Sequence, residues 1–130
     1  MFALNFQWPQ NEELLIGRKK DCTVRLGDIR EIYPENSVVW VTVGPKYGAK
    51  RKLYPAMIDT IYTKEFHALT LNDLRHQSPD IQTVEDLREY FQSKYQKHIL
   101  PDDIVTVIYF SEIIEREPTC KINNGWRGRP

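Results

Sequence analysis

Residues 15–28 read LIGRKKDCTVRLGD, and this stretch decides how the chain is interpreted. An apolar helix end gives way to a run of basic residues, and the pattern then predicts a short strand over Cys22–Leu26. Because side chains alternate along a strand, Thr23 and Arg25 should point to one face. We expect Lys20, on the turn before the strand, to fold over that face. The stretch therefore predicts that an ammonium, a hydroxyl and a guanidinium converge.

Three interpretations of Lys20, Thr23 and Arg25 remain open from the residues alone. The forked guanidinium and the mobile ammonium suit an anion, or a nucleobase with its phosphate. A lysine whose pKa is lowered by neighbouring cations could also take a proton from the threonine hydroxyl and turn it into a nucleophile. The third interpretation is a plain surface cluster, since basic residues after a helix complement its dipole. Cations near Cys22 would favour its thiolate, which leaves a catalytic cysteine open. Strand alternation points Cys22 away from Thr23, however, and so favours a buried structural residue.

The rest of the chain predicts short strands with helices inserted between them. Phe2, Leu4 and Phe6 alternate with polar or small residues, which is typical of a strand. Thr70 should cap one helix, and Thr83 with Asp86 resembles a capping box. There is no regular βαβ alternation, so the pattern favours a small curved or closed sheet in an α+β protein. Further strands are predicted over 38–43, 53–62 and 104–110, and helices over 9–17, 70–76 and 83–97.

A second basic stretch, GPKYGAKRK, occupies residues 44–52 and contains turn-forming glycine and proline. It should form a basic loop or hairpin tip, whose cations could follow a phosphate backbone while a tyrosine stacks on a base. The alternative is a solvated tip whose lysines discourage edge pairing. The next strand carries Pro55 near its start, which suggests an edge strand. Trp40, inside an apolar strand, is predicted to lie in the core.

Residues 15–28 resemble the opening signature of the ASCH-domain family, a branch of the PUA-like β-barrel superfamily. The signature is a short helix, a glycine, a basic residue, K-x-x-T-x-R and a Gly-Asp pair. The segments VVWVTVG, AMIDTIY, FHALTLNDL, TVEDLREYFQSKY and DDIVTVIYF follow in the family's order, so the resemblance runs from Phe6 to Ile113. An extra residue between Gly17 and Lys20 departs from the pattern. The resemblance implies a small PUA-like mixed β-barrel with two to three flanking helices.

The resemblance also implies a partner. PUA-like barrels commonly bind RNA, or a nucleotide, in a cleft beside the barrel, so the expected function is recognition of RNA or a modified nucleoside. The cations of the two basic stretches would supply the contacts. The predicted nucleic-acid-binding residues are Arg18, Lys19, Lys20, Arg25, Lys46, Lys50, Arg51 and Lys52.

An alternative function follows from the same family. Some small ASCH proteins resemble amidohydrolases that remove the acetyl group from N4-acetylcytidine with a lysine, a threonine and a glutamate. Carried over by motif, Lys20 would be the general base and Thr23 the nucleophile. Asp80 occupies the position of the glutamate, and it keeps the carboxylate with a shorter reach.

Composition limits the remaining possibilities. The chain has 130 residues, of which 41% are hydrophobic, and predicts one domain over 1–116 followed by a turn-rich tail over 117–130. Its net charge is zero, so a nucleic acid would have to be bound by a local basic surface. Two distant cysteines and scattered histidines predict neither zinc nor a disulfide framework, and no cofactor is expected. We expect a cytoplasmic protein with no membrane segment. A protein-docking role for the tail around Trp126 stays open, and oligomeric state is not predicted.

Overall fold

The computed structural model describes residues 2–7, 10–77 and 81–114. Asp80, Cys120, Trp126 and the 117–130 tail lie outside this part of the chain, as does the predicted domain end at residue 116. Within the described residues, the helices are all too short or too polar to cross a bilayer.

Five strands and three helices make up the described part of the chain, which confirms the α+β prediction. The sheet has the order β1-β3-β4-β5-β2; β1 and β3 are parallel, and the other neighbouring pairs are antiparallel. A short 3-10 turn, Phe66–Ala68, follows β4. The elements are β1 Phe2–Phe6, α1 Gln10–Ile16, β2 Cys22–Leu26, β3 Val38–Val43, β4 Arg51–Glu65, α2 Leu71–Gln77, α3 Val84–Tyr95 and β5 Ile104–Glu112.

The sheet curls until its two edge strands approach each other. β1 and β2 lie at opposite ends of the strand order, yet the Arg25 guanidinium on β2 donates to the Asn5 carbonyl oxygen on β1 at 2.8 Å. A side chain thus bridges the gap that a further strand would otherwise fill. We call this gap, bordered by Asn5 and Phe6 on one side and by Lys20, Thr23 and Arg25 on the other, the seam.

Two apolar clusters fill the two faces of the curled sheet. β5 serves both, because Ile104–Glu112 is an interior strand whose central residues are buried on both sides, as predicted. The inner cluster lies within the curl, and the outer cluster packs beneath α2 and α3. The inner cluster includes Leu4, Phe6, Tyr33, Val41, Ile58, Ile108 and Phe110, and the outer one includes Cys22, Val24, Phe66, Leu74, Leu87, Phe91 and Val107.

Both α2 and α3 begin with a threonine and an aspartate three residues later. At α2 the Asp73 amide donates to Thr70 Oγ1 at 3.3 Å and the Thr70 amide donates to the Asp73 carboxylate at 3.1 Å. Thr83 and Asp86 form the same reciprocal pair at α3. Such boxes satisfy amide groups that a helix start leaves without partners. The predicted caps at Thr70 and Thr83 are therefore confirmed.

The α2 box also fixes that helix to the sheet. Asp73 is buried, and its carboxylate accepts bonds from the Tyr62 hydroxyl at 2.6 Å and from Lys64 Nζ at 2.8 Å. Burial acts to raise the pKa of the Asp73 carboxyl, but the bonds from Lys64, Tyr62 and the Thr70 amide outweigh it and lower the pKa to about 2. An ionised, fully bonded Asp73 therefore anchors α2 on β4.

Two predictions about β3 and β4 are wrong. β4 is no edge strand, because it pairs with β3 on one side and β5 on the other. Pro55 is tolerated because the β5 ladder starts only at Ala56, so the missing amide falls at the start of that ladder. Trp40 is not in the core either, since Val39 and Val41 take the buried face of β3 and leave Trp40 half-exposed.

Candidate functional site

The structure places Lys20 and Arg25 against the ring of Phe6, with Thr23 next to Arg25. Lys20 Nζ lies 5.4 Å from the ring centroid and Arg25 Cζ lies 5.1 Å from it. Arg25 Nε is also 3.4 Å from Thr23 Oγ1, a long contact for a hydrogen bond. The three polar groups therefore share the seam.

Strand alternation in β2 explains this arrangement. Thr23 and Arg25 lie opposite Ile108 and Thr106 of β5, which places them on the inner face of the curl. Cys22 takes the outer face, where it is completely buried. Burial raises the pKa of the Cys22 thiol to about 12, so the nearby cations do not produce a thiolate. The prediction of a buried structural cysteine is confirmed.

Lys20 is unusually buried for a lysine, at 2% relative exposure. Its Nζ donates to the Cys22 carbonyl oxygen at 3.0 Å. Burial lowers the pKa of Lys20 to about 7, and the positive charges of Arg25 and Lys94 contribute to that lowering. Near neutral pH, Lys20 therefore exchanges between a charged and a neutral amine.

Lys94 is a member of this site that the sequence did not indicate. It lies in the last turn of α3, with Nζ 5.3 Å from the Tyr95 ring centroid and 5.8 Å from that of Tyr90. Burial and then the charge of Arg25 lower the pKa of Lys94 to about 8. The available signal was the spacing of Tyr90 and Lys94, which places them on one helix face. A lysine in the last turn of a helix is, however, also expected from the helix dipole.

Arg18 is held outside the seam. Its Nε forms an ion pair with the Glu112 carboxylate at 2.8 Å, and its guanidinium stacks 4.1 Å from the Tyr54 ring centroid. It also donates to two carbonyl oxygens at the end of α1, where such groups lack helical partners. Arg18 and Lys20 line an open cavity of about 360 Å³ whose wall includes neither Thr23 nor Arg25. Lys19 is exposed.

The second basic stretch is divided between a turn and the start of β4. Arg51 and Lys52 belong to the strand, so the predicted loop over 44–52 ends at Lys50. Lys50 Nζ donates to the Lys46 carbonyl oxygen at 3.0 Å, and Arg51 forms an ion pair with Glu12 of α1. Lys52 Nζ lies 4.8 Å above the ring of Trp40. We call residues 44–52 the basic tip.

The basic tip starts beside the seam. The Gly44 amide donates to the Phe6 carbonyl oxygen at 3.1 Å, and Asn5 Nδ2 donates to the Gly44 carbonyl oxygen at 3.0 Å. A Cβ atom on Gly44 would lie 2.6 Å from the Ala49 carbonyl oxygen, so only glycine fits this close approach. The two basic regions are therefore connected through β1.

Among the described residues, no group of three or more His, Cys, Asp or Glu side chains is positioned to hold a metal ion. Asp80, the predicted proton carrier, lies outside residues 2–7, 10–77 and 81–114. Lys20 and Thr23 are thus the two members of the predicted catalytic trio that the structure places.

Comparison with known proteins identifies the fold. No family model and no curated protein matches the sequence. The ASCH domain from Lactobacillus crispatus JV V101 is similar in structure, with a TM-score of 0.62 and 11% identity over 85% of this chain and 77% of that chain. A protein of the DUF984 family from Enterococcus faecalis V583 has a TM-score of 0.59 and 14% identity over 80% of this chain and 67% of that one.

A third solved structure, a Pyrococcus furiosus protein determined by NMR, has a TM-score of 0.52 and 14% identity over 86% of this chain and 98% of that chain. At these identities the likeness concerns the fold. The five-stranded curled sheet with three helices agrees with the predicted PUA-like barrel. The chain therefore has an ASCH-type fold.

Proposed function

We propose that the protein binds RNA, or a modified nucleoside, with one nucleotide seated in the seam and the basic tip adding sequence-independent attraction. The observation that carries this proposal is the pair of cations, Lys20 and Arg25, that flank the ring of Phe6. Removing cations from water costs free energy, which an anion bound between them recovers. The aromatic ring offers a face for a base.

The hydrogen bonding of Arg25 supports this role. A guanidinium has five N–H donors, and in the structure Arg25 uses one for Asn5 and one for the long contact with Thr23. The remaining donors form a fork that matches a phosphate or the polar edge of a base. Among the described residues, no carboxylate forms an ion pair with Arg25, so its charge is not neutralised there as that of Arg30 is by Asp28.

Binding of a short fluorescent single-stranded RNA across a salt series tests the proposal. We expect affinity to fall steadily as salt rises, since phosphate contacts release counterions. Arg25→Met should weaken binding about tenfold, the usual effect of losing a charge-assisted hydrogen bond. Arg30→Met is the matched control, because it removes an exposed arginine outside the seam, and it should change little. Absence of binding at low salt, or affinity that ignores salt, would contradict the proposal.

A second candidate function, hydrolysis of an acylated cytidine, is favoured by the lowered pKa of Lys20. A neutral Lys20 amine would take the proton of the Thr23 hydroxyl as Oγ1 attacks the amide carbonyl. The amine leaves with a proton, an ester forms on Thr23, and water then hydrolyses that ester. Asp80 would carry protons in these steps.

Release of cytidine from N4-acetylcytidine tests the second function. Thr23→Ala should abolish release, whereas Thr60→Ala, at an exposed threonine of β4, should leave it unchanged. Asp80→Ala should reduce the rate by roughly 100-fold, a usual contribution of acid–base catalysis. Full activity in the Thr23→Ala protein would remove Thr23 as the nucleophile.

A further inference from the structure

The last turn of α3 packs on β2 directly beside Arg25. The Leu26 amide, next in sequence to Arg25, donates to the Tyr95 hydroxyl at 3.3 Å. This bond replaces a strand partner at the free edge of β2, and it brings Lys94 with it. Lys94 Nζ lies 5.3 Å from the Tyr95 ring centroid. The C-terminal end of α3 therefore forms a second wall of the seam, opposite β1.

This wall brings a further cation toward Arg25. Lys94 is half-buried; burial and then the charge of Arg25 lower the pKa of Lys94, and the charges of Arg25 and Lys94 each add to the lowering that burial causes at Lys20. Within the part of the chain that the structure describes, neither Arg25 nor Lys94 forms an ion pair with a carboxylate. Like charges placed together at partial burial are destabilising unless an anion joins them.

The surroundings of the two cations are aromatic. Phe6 lies beside Arg25, and Tyr90 and Tyr95 lie beside Lys94. Aromatic rings stabilise cations weakly through their faces and leave the N–H groups available to a stronger acceptor. A compact, doubly charged anion suits a forked guanidinium and a point-charge ammonium together, while a neutral nucleoside uses neither charge.

We propose that the ligand of the seam is a nucleotide, with its phosphate held between Arg25 and Lys94 and its base directed to Phe6. This inference rests on the proposed function, because it assigns the ligand class of the same site. Lys94 becomes a phosphate-binding residue, and a nucleoside lacking the phosphate becomes a poor ligand.

Calorimetric titration with the four ribonucleosides and with their 5′- and 3′-monophosphates tests the proposal. At least one monophosphate should bind about tenfold or more tightly than its nucleoside, the usual effect of a charge-assisted contact. Lys94→Gln should remove most of that difference without changing nucleoside affinity, and Lys94→Arg should restore it. Lys97→Gln is the matched control: it removes the charge of an exposed lysine three residues after Lys94 and should have no effect. Inorganic phosphate alone should bind far more weakly than the nucleotide.

The outcomes separate this inference from the proposed function. If RNA binds but no monophosphate exceeds its nucleoside, or Lys94→Gln leaves the difference intact, the phosphate assignment is wrong and RNA binding stands. Inorganic phosphate binding as tightly as every nucleotide would also overturn it, because the base would then contribute nothing. If neither RNA nor any nucleotide binds, the proposed function fails as well.

Discussion

The seam and the basic tip contain the same kinds of side chain in opposite environments. Lys20 is 2% exposed and Arg25 is half-buried, whereas Lys46, Lys50 and Arg51 stand in solvent. In the tip, Lys50 donates to a backbone carbonyl oxygen and Arg51 forms an ion pair with Glu12. In the seam, burial and neighbouring positive charges lower the pKa values of Lys20 and Lys94, so keeping these amines protonated costs free energy. A cluster of basic residues in a sequence therefore says little about binding until its burial is known.

The largest expected contrast is in the pH dependence of stability. Burial lowers the pKa of Lys20 from 10.5 to about 7, so between these values the unfolded chain binds more protons than the native one. The free energy of unfolding should therefore rise with pH across that window, by about 1.4 kcal/mol per pH unit and by up to about 5 kcal/mol in total from this residue. Lys20→Met should remove the rise and stabilise the protein most at pH 6.

Urea denaturation at half-unit steps from pH 6 to 9 measures this effect. Lys50→Met is the matched control, because Lys50 is an exposed lysine of the tip and its replacement should change stability by less than about 0.5 kcal/mol. A Lys20→Met protein that kept the pH dependence of the wild type would show that burial of this amine is not its source.

The next contrast is in the pH dependence of RNA binding. Lys20 and Lys94 attract phosphate only when protonated, and their pKa values of about 7 and 8 predict weaker binding as pH rises from 6 to 9. We expect a loss of about tenfold over this range, the size of one charge-assisted contact. Lys94→Gln should flatten the upper part of the profile. Fluorescence anisotropy at fixed salt measures it, and an unchanged profile would contradict the role of Lys94.

Removing the cations of the tip should act on salt dependence more than on specificity. A Lys46→Gln, Lys50→Gln, Lys52→Gln triple variant should lose about fivefold in affinity at low salt. Its salt slope should fall by up to about 2, since each phosphate contact on a single strand contributes about 0.7. Arg25→Met should lower the slope by no more than one contact. Equal slope changes in both variants would erase the distinction between seam and tip.

The smallest effect is expected at the ion pair between Arg51 and Glu12. Exposed pairs of this kind stabilise proteins by less than about 1 kcal/mol, so Glu12→Gln should hardly change the unfolding free energy. The freed Arg51 should increase RNA affinity at low salt by about twofold, because one more cation is then available. Glu13→Gln, an exposed acid on the same helix, serves as the comparison. Weaker binding after Glu12→Gln would contradict this expectation, because it would mean that the ion pair holds Arg51 in position to contact RNA instead of competing with RNA for it.

Local sequence patterns were sufficient to predict the bounds of the strands whose residues strongly favour strand conformation. The bounds of β2 and β3 agree with the prediction, since β-branched runs bordered by turn residues have few alternatives. Strand alternation also predicts that Thr23 and Arg25 share one face of β2, whereas the position of Lys20 depends on the turn before the strand. The start of β4 could not be predicted in this way. The pattern predicts a strand from residue 53, whereas β4 begins at Arg51, because its first two residues are cations whose strand conformation depends on pairing with β3.

The rest of the site depends on how distant parts of the chain fold together. Trp40 looked like a core residue because its neighbours are apolar, and only the sheet shows which face is buried. The charge of Arg25 acts on Lys94 because the hydrogen bond between Tyr95 and Leu26 holds the end of α3 against β2, and this bond joins residues 69 positions apart in the sequence. Asp73 matches Asp86 in its capping motif, but its carboxylate also accepts hydrogen bonds from Tyr62, Lys64 and Tyr109 of the sheet. Such differences arise from tertiary packing, which short patterns do not contain.

In the described sheet β1 and β2 share no backbone ladder, and the bond from Arg25 to the Asn5 carbonyl oxygen crosses the gap between these two edge strands. A ladder of backbone hydrogen bonds can open one residue pair at a time, whereas a single side-chain hydrogen bond is either made or broken. An occupant that draws Arg25 inward would also change how firmly β1 is held. We therefore expect the amides of β1 to be the part of the sheet whose hydrogen exchange responds most to a bound nucleotide.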